Sequence, residues 1–533
     1  MSGDEGRSQF PSKAAAFTVF PWVTMCLVSC LPAPEGPLGE QVLASREIEA
    51  PKLTWAAGPA SPLLLYDRPS TWAEGDPELW SLNLADRVPR RLAERRSRLR
   101  NVEPAPWGHI FAYVPGKDAI DLVVIEPLST RHLATFETFL GRVFRDDEFI
   151  VDSGGAPHPK LTFGDGQTFV RDLDRVQSRS FGADGRLYFV RSSDHALARV
   201  DSPRGTVELL ANNVIYFEPA PGGRHGLLAT KVEGGANTAG PLFSLELDTL
   251  TRRPLNVPPS ACRLLLDGAH AQATVACLEP AASDEKGDRV SIIDLATGHV
   301  GATFTGLVSE QTWARFSPDG SRLLILYPDT LMVIDVGTMS RRSLPLGVAH
   351  VWWSHDEQFL FLVTIPLGDA ATAQGIGGRV LVWSAALLGE PVAVSPENFV
   401  INAAVDVGGD DGRRFLVMRG AVRRQNDGLF AVELAATGPL SLRQLGADVI
   451  DFSAGSGRVL AITGARTPDR TGRLMLFDLA AGTSDAFSLG VASFAVTGAC
   501  PDCSLLAPGS HVTYLVRGRE PLSEDGAWTL TLR

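Results

Sequence analysis

From residue 51 onward, short aliphatic runs alternate with clusters of Gly, Pro, Asp and Ser. Such runs predict strands, because branched and aromatic side chains suit a pleated surface while Gly and Pro set turn dihedrals. The clearest stretch opens with Phe316-Ser317-Pro318-Asp319-Gly320 and continues as Arg322-Leu323-Leu324-Ile325-Leu326. It resumes as Leu331-Met332-Val333-Ile334-Asp335 and closes with Arg341-Arg342-Ser343-Leu344. The pattern predicts strand, turn, strand, loop, strand ending in Asp, turn, strand. The first turn returns as Gly182-Ala183-Asp184-Gly185, Pro221-Gly222-Gly223, Ser354-His355-Asp356-Glu357, Asp410-Asp411-Gly412 and Ala454-Gly455-Ser456-Gly457. The third strand returns as Leu242 to Leu247, Val290 to Leu295, Val380 to Ser384, Leu429 to Leu434 and Leu474 to Leu479. Its polar positions 246, 294, 335, 384, 433 and 478 are separated by 48, 41, 49, 49 and 45 residues. Four strands repeating every 40 to 50 residues predict an all-β chain built from propeller blades.

About 11 such units fit between Leu53 and Arg533. A single ring typically holds about 4–8 blades, so two rings are expected, with blades at 51–260 and at 261–533. The last unit has strands at Val512 to Val516 and Trp528 to Leu532 but no fourth strand after them. Val42 to Ile48 is expected to supply it. With Phe316 to Gly320, the chain resembles the TolB-like propellers and, more loosely, the WD-repeat-like ones. That resemblance implies a binding platform and does not imply catalysis.

The N-terminal region has a different pattern. Met1 to Lys13 is polar and carries Arg7 and Lys13, and Ala14 to Ser29 holds 16 uncharged residues. The uncharged run is shorter than the ~20 residues a spanning helix needs, and Pro21 interrupts it. A cleaved secretory signal over 1–29 is therefore expected. The junction Leu27-Val28-Ser29-Cys30 resembles the lipobox of bacterial lipoproteins. The resemblance implies cleavage before Cys30, lipid on its sulfur, a flexible tether over 30–50 and membrane attachment. Leu31 follows the cysteine in place of an Asp, which by the same resemblance implies the outer membrane.

Composition narrows the functions. The net charge of −12 argues against general nucleic-acid binding. Beyond Cys26 and Cys30, four cysteines remain: Cys262, Cys277, Cys500 and Cys503. An even count in an exported chain favours two bridges. A turn centred near Ala269-His270 would set Cys262 opposite Cys277. Cys500-Pro501-Asp502-Cys503 would pair across a tight turn, with a redox or zinc role as alternatives. Arg87, Arg90, Arg91, Arg95, Arg96, Arg98 and Arg100 crowd 14 residues of this acidic chain. They are expected on an outer strand and loop of the first blade, near the tether. Their partners are either local carboxylates, Asp86 and Glu94 among them, or anionic lipid heads or an acidic protein.

Few motifs suggest chemistry. The chain has no Gly-x-Ser-x-Gly elbow. Gly375-Ile376-Gly377-Gly378 is not followed by a helical pattern, so a phosphate cradle is not expected. Ser523 to Thr529 reads as a blade turn, and His350 with His355 around Trp352-Trp353 as a strand entering an Asp turn. Asp146-Asp147-Glu148 and Asp284 to Asp288 read as solvated acidic loops. No catalytic residue, metal or cofactor is expected. The leading expectation is a non-enzymatic, lipid-anchored propeller that binds an envelope protein. The alternatives are a ligand-binding, hydrolytic or lyase-type propeller with a central-channel site, and a structural envelope component.

Overall fold

The computed structural model describes residues 37–44, 51–54, 62–68, 78–93, the strands between 102 and 165, and most of 168–533 apart from loops such as 256–262, 267–273, 280–288, 306–312, 365–375, 423–426, 499–503 and 518–524. The described residues form strands and turns with no helix. Strands such as Arg322–Leu326, Leu331–Asp335 and Phe359–Thr364 are buried almost along their whole length. Alternating polar residues are absent from these strands because both faces of their sheets are covered by neighbouring sheets.

The strands make nine sheets, six of four strands, one of five and two of seven, each ordered largely as the chain runs. Both seven-stranded sheets arise where one 14-residue strand serves two blades: Thr168–Phe181 and Ser484–Thr497. Within the second, Val491 faces Gly472 on one side and Val516 on the other. Gly490 beside it has φ 70, a conformation that lets the chain turn from one blade into the next. The fold is a β-propeller.

Apolar contacts between sheets join consecutive blades. Ala220, Leu227 and Leu242 pack with Val275, Cys277 and Ile293. Phe359, Phe361 and Val363 pack with Leu416, Met418 and Val432. The first of these clusters crosses residues 260–261, so the blades on either side of that expected boundary are packed neighbours. Polar stitches lie alongside. Ser244 Oγ donates to Leu295 O at 2.6 Å. Arg199, Arg253, Arg443 and Arg458 donate to the backbone oxygens of Leu247, Ala296, Leu479 and Leu506, each in the following blade.

The missing last strand comes from near the N-terminus, as expected: Glu40–Ala44 supplies it, starting two residues before Val42, while 45–48 of the expected segment lie outside the described residues. Glu40–Ala44 pairs antiparallel with Gly526–Thr531, with a register shift between Gln41 and Leu43. Leu38 N–H donates to Phe487 O at 3.0 Å, which sets the entry of the strand. At Gly39 (φ 101) an added Cβ would meet Thr529 O at 2.3 Å, so only glycine fits. Leu43 is 5% exposed and packs with Leu64, Tyr66 and Leu82 of the first blade and with Leu515 and Ala527 of the last.

The turns explain the repeated aspartates. In the turns beginning at Gly182, Ala220, Ser317 and Gly409, the fourth residue is a glycine whose N–H donates to the first carbonyl at 2.9–3.1 Å. These glycines have φ of 91, 69, 66 and 79. Asp184, Asp319, Asp356 and Asp411 each accept the backbone N–H two residues on at 3.0–3.1 Å. At the second turn, Asp294, Asp335 and Asp478 accept backbone N–H groups three residues ahead at 2.8–3.0 Å. The next position is left-handed in every copy described, as Gly298, Met339 and Gly482 (φ 71, 54 and 73) show.

These bonds bear on acid stability. Burial pushes the Asp319 carboxyl up, but bonds from Ser317 and Ser321 and the charge of Arg322 outweigh it and leave it lowered. For Asp335 the Thr338 backbone N–H leads, burial opposes, and the Thr338 hydroxyl, Arg322 and the Gly337 N–H add, so it too is lowered. Burial pushes the half-buried His511 imidazole below its ordinary 6.5.

Two outcomes are expected. Leu43→Ala should cost about 2–5 kcal/mol in urea unfolding, the range for a buried leucine, because it opens the seam between the last and first blades. A loss under about 0.5 kcal/mol would show that the seam is not load-sharing. Thermal stability should also decline on acidification in two stages. The unfolded chain binds a proton at His511 more readily than the folded one, so the first decline begins below 6.5 and is absent in His511→Gln. Asp319 and Asp335 stabilise the fold above 3.8, and that contribution is lost as pH falls through their lowered values. A melting profile flat between pH 7 and 3 would contradict both assignments.

Candidate functional site

The strand Glu40–Ala44 enters the propeller at the seam between last and first blade, and the described arginines of the cluster, Arg87, Arg90 and Arg91, lie beside it. Arg87 sits four residues beyond Asn83, at the left-handed position of the second turn of the first blade (φ 56). Its Nη1 and Nη2 pair with the two carboxylate oxygens of Glu40, the first residue of the closing strand. The Arg87 bonds hold the Glu40 carboxyl below the usual range, burial opposing and the guanidinium charge adding. Arg90 Nη2 lies 3.0 Å from Asp86 Oδ2 and Arg91 Nη1 lies 3.5 Å from Glu78 Oε1. Both belong to the outermost strand of the first blade, Pro89–Ala93. The three described arginines of the cluster thus lie on the last strand of the first blade and the turn before it, and each engages a carboxylate. Arg95, Arg96, Arg98, Arg100 and Glu94 lie outside the described residues, as does Cys30.

Because each blade is an antiparallel meander, its first and third connections leave one end and its second connection and exit leave the other. The Asp turns occupy the first end. The second end carries polar groups that no motif revealed. Asn402 Nδ2 reaches Asp427 at 2.8 and 2.9 Å, and Arg419 Nη2 reaches it at 3.1 Å. Also there, Lys231 Nζ lies 2.9 Å from His195 Nε2, and His195 Nδ1 lies 3.1 Å from Gln177 Oε1. A half-buried triad links two blades near the Asp-turn end: Arg414 Nη1 meets Asp356 Oδ2 at 3.0 Å, while Nη2 pairs with Asp406. All three groupings join residues far apart in sequence or opposite on paired strands, so no spacing announces them.

Other sequence readings find their places. Ile376–Gly378 adds a fifth strand to the inner edge of the next blade, pairing with Phe399–Gly408. Gly378 has φ 149, and a Cβ there would sit 1.7 Å from Thr364 O, so close backbone approach accounts for this glycine. The His350 ring packs on Trp352 at 5.5 Å, and Trp352 on Phe361 at 5.4 Å, in the strand leading to the Asp356 turn. Cys277 is fully buried on Thr274–Glu279 and disulfide-bonded. It faces Leu264 in the observed register, which is centred one residue beyond the expected turn. Cys262, Cys500 and Cys503 lie outside the described residues. So do Asp146-Asp147, Asp284 to Asp288, Ser523 and Glu524. Among the described residues no three His, Cys, Asp or Glu side chains converge to hold a metal, and no helix is long and apolar enough to cross a membrane.

No protein-family model matches the chain, and no curated protein matches it. Solved structures do. A eukaryotic initiation factor structure aligns at a TM-score of 0.43 and 10% identity, over 72% of this chain and 96% of that one. The dihydro-heme d1 dehydrogenase NirN aligns at 0.36 and 15%, over 66% and 77%. The Cps50 (Swd1) β-propeller domain of Myceliophteria thermophila aligns at 0.28 and 14%, over 51% and 90%. At these scores the likenesses carry nothing about activity. The chain is an all-β propeller on the strength of its own four-stranded, consecutively packed sheets.

Proposed function

We propose that this protein is a lipid-anchored, non-enzymatic β-propeller that binds another protein of the bacterial cell envelope. The observation that carries the reading is the position of the closing strand. Leu38, whose N–H is bonded to Phe487 O, lies only eight positions after Cys30. A fully extended chain spans at most ~3.3–3.6 Å per residue, so a lipid on Cys30 would hold the seam within about 29 Å of the membrane surface. A short leash on a rigid ring presents one face of loops to partners, and recognition residues concentrate on loops held by such scaffolds. A single acyl chain holds a protein only marginally, so two or more would be needed.

Cells grown with a labelled fatty acid should incorporate label into the wild-type chain and not into Cys30→Ala. Crosslinking in intact envelopes should give a discrete product with a second protein, reduced in yield for the unanchored variant. Equal labelling of both chains would remove the anchor. A labelled chain with no crosslinked product would remove the platform and leave a structural envelope component.

The arginine cluster is assigned to anionic headgroups beside the tether. Because Arg87, Arg90 and Arg91 engage Glu40, Asp86 and Glu78, lipid must compete with these carboxylates, and exposed pairs of this kind are worth only about 0–1 kcal/mol. Co-sedimentation of full-length Cys30→Ala protein with phosphatidylglycerol vesicles should weaken severalfold when Arg95, Arg96, Arg98 and Arg100 become Ser. Binding that ignores those changes would discard the assignment.

A further inference from the structure

The geometry points to Lys231 as an activated amine that condenses with aldehydes, with His195 as its proton shuttle and Gln177 as the group that orients the imidazole. Lys231 ends the strand His225–Lys231. His195 lies in the turn between Leu187–Arg191 and Leu197–Val200, in the preceding blade. Gln177 lies on Thr168–Phe181 of that same blade. The site is therefore assembled across a blade interface.

Hydrogen-bond logic assigns the tautomer. An ammonium has three donors and no acceptor, so the nitrogen 2.9 Å from Lys231 Nζ must accept. His195 Nε2 is then unprotonated and the ring proton is on Nδ1, where it donates to Gln177 Oε1 at 3.1 Å. A nucleophile within reach of a base that a third group orients is the arrangement used for covalent catalysis. The nearby carboxylate of Asp194 is engaged by Arg191 and by the Ala196 N–H. Among the described residues, no carboxylate is placed against the Lys231 ammonium.

The backbone holds this grouping in place. Asn213, between the two blades, and Lys231 exchange two bonds: Lys231 N–H to Asn213 O at 2.9 Å and Asn213 Nδ2 to Lys231 O at 3.1 Å. Val214 N–H donates to His195 O at 2.7 Å. His195 and Asn213 both have left-handed backbones, with φ of 54 and 62. For residues other than glycine such strain persists only where surrounding bonds over-determine it. Lys231 and His195 are half-buried while Gln177 is exposed, so the grouping opens to solvent on the loop end. The residue type matters too: a guanidinium cannot lose its proton to become a nucleophile, and the chain places one of its few lysines here.

The step balances without an oxidant. His195 Nε2 takes a proton from Lys231 Nζ, whose freed lone pair attacks the aldehyde carbon. The Nζ–C bond forms as the carbonyl pair moves to oxygen, giving a carbinolamine. The imidazolium returns that proton to the oxygen. His195 Nε2 then takes a second proton from the positively charged Nζ and passes it to the new hydroxyl. Water leaves with the C–O bonding pair, and the freed Nζ lone pair closes the C=N bond of the protonated imine.

The test uses full-length protein in detergent, propanal as probe and cyanoborohydride to reduce the imine, with peptide mass spectrometry reading every lysine. Lys231 should label at least about tenfold faster than Lys52, Lys117, Lys160 and Lys286, within reach of general-base effects of 10²–10⁴. His195→Asn, which tolerates the left-handed backbone, should remove that advantage. Gln177→Ala should slow Lys231 severalfold while Gln177→Glu, which keeps an acceptor, should not. The other lysines report within the same sample whether a variant has unfolded. Lys231 labelling at the rate of the others, or unchanged labelling in folded His195→Asn, overturns the inference.

Discussion

Pairing of Glu40–Ala44 with Gly526–Thr531 is the constraint on which the circuit of blades depends. It brings together residues nearly five hundred positions apart, and closing a flexible loop of that length costs on the order of 5 kcal/mol. One short strand could not offset this by hydrogen bonds alone. The seam adds the buried Leu43, wedged between the first and last blades, and the Glu40–Arg87 pair at its rim. It also joins two faces that would otherwise be exposed: the edge of Gly526–Thr531 and the apolar side of the first blade. An unpaired edge beside an apolar face invites pairing with a foreign strand.

Each further blade is held by the same logic at shorter range. Aliphatic side chains fill the space between sheets, and polar groups tie the turns across it. Arginine is the usual tie. Arg199, Arg253, Arg443 and Arg458 reach carbonyl oxygens of the next blade, and Arg414 reaches Asp356 of the preceding one while pairing with Asp406 of its own. A forked, permanently charged donor suits this task better than an ammonium, because its planar geometry is pre-organised. The scarcity of lysine in the sequence looks like a compositional bias. In the folded chain at least part of the arginine content does structural work between blades.

The repeat was legible because it is local. A third strand ending in a polar residue, mostly an acid, returns every 41 to 49 residues, and Asp294, Asp335 and Asp478 cap the turns that follow them directly. The closing strand was legible as a missing partner, but its start was not, because Gly39 and the Glu40–Arg87 pair fix it through contacts with residues far along the chain. The register at Cys277 differs by a similar margin: spacing alone cannot say which residue of a long hairpin stands at the turn. The groupings around His195, Asp427 and Arg414 left no trace in the sequence. Their members come from different strands or blades, and only the fold makes them neighbours.

The strand that closes the propeller also sets an order of events. Glu40 to Ala44 is among the first parts of this sequence to be made, and its partner Gly526–Thr531 among the last. At roughly 5–20 residues per second, about half a minute to a minute and a half of synthesis separates them. Throughout that interval the early segment has no strand to join, while the blades between can already stack. The closing segment therefore stays unpaired while much of the rest can fold, and its pairing with Gly526–Thr531 joins the last blade to the first at the end.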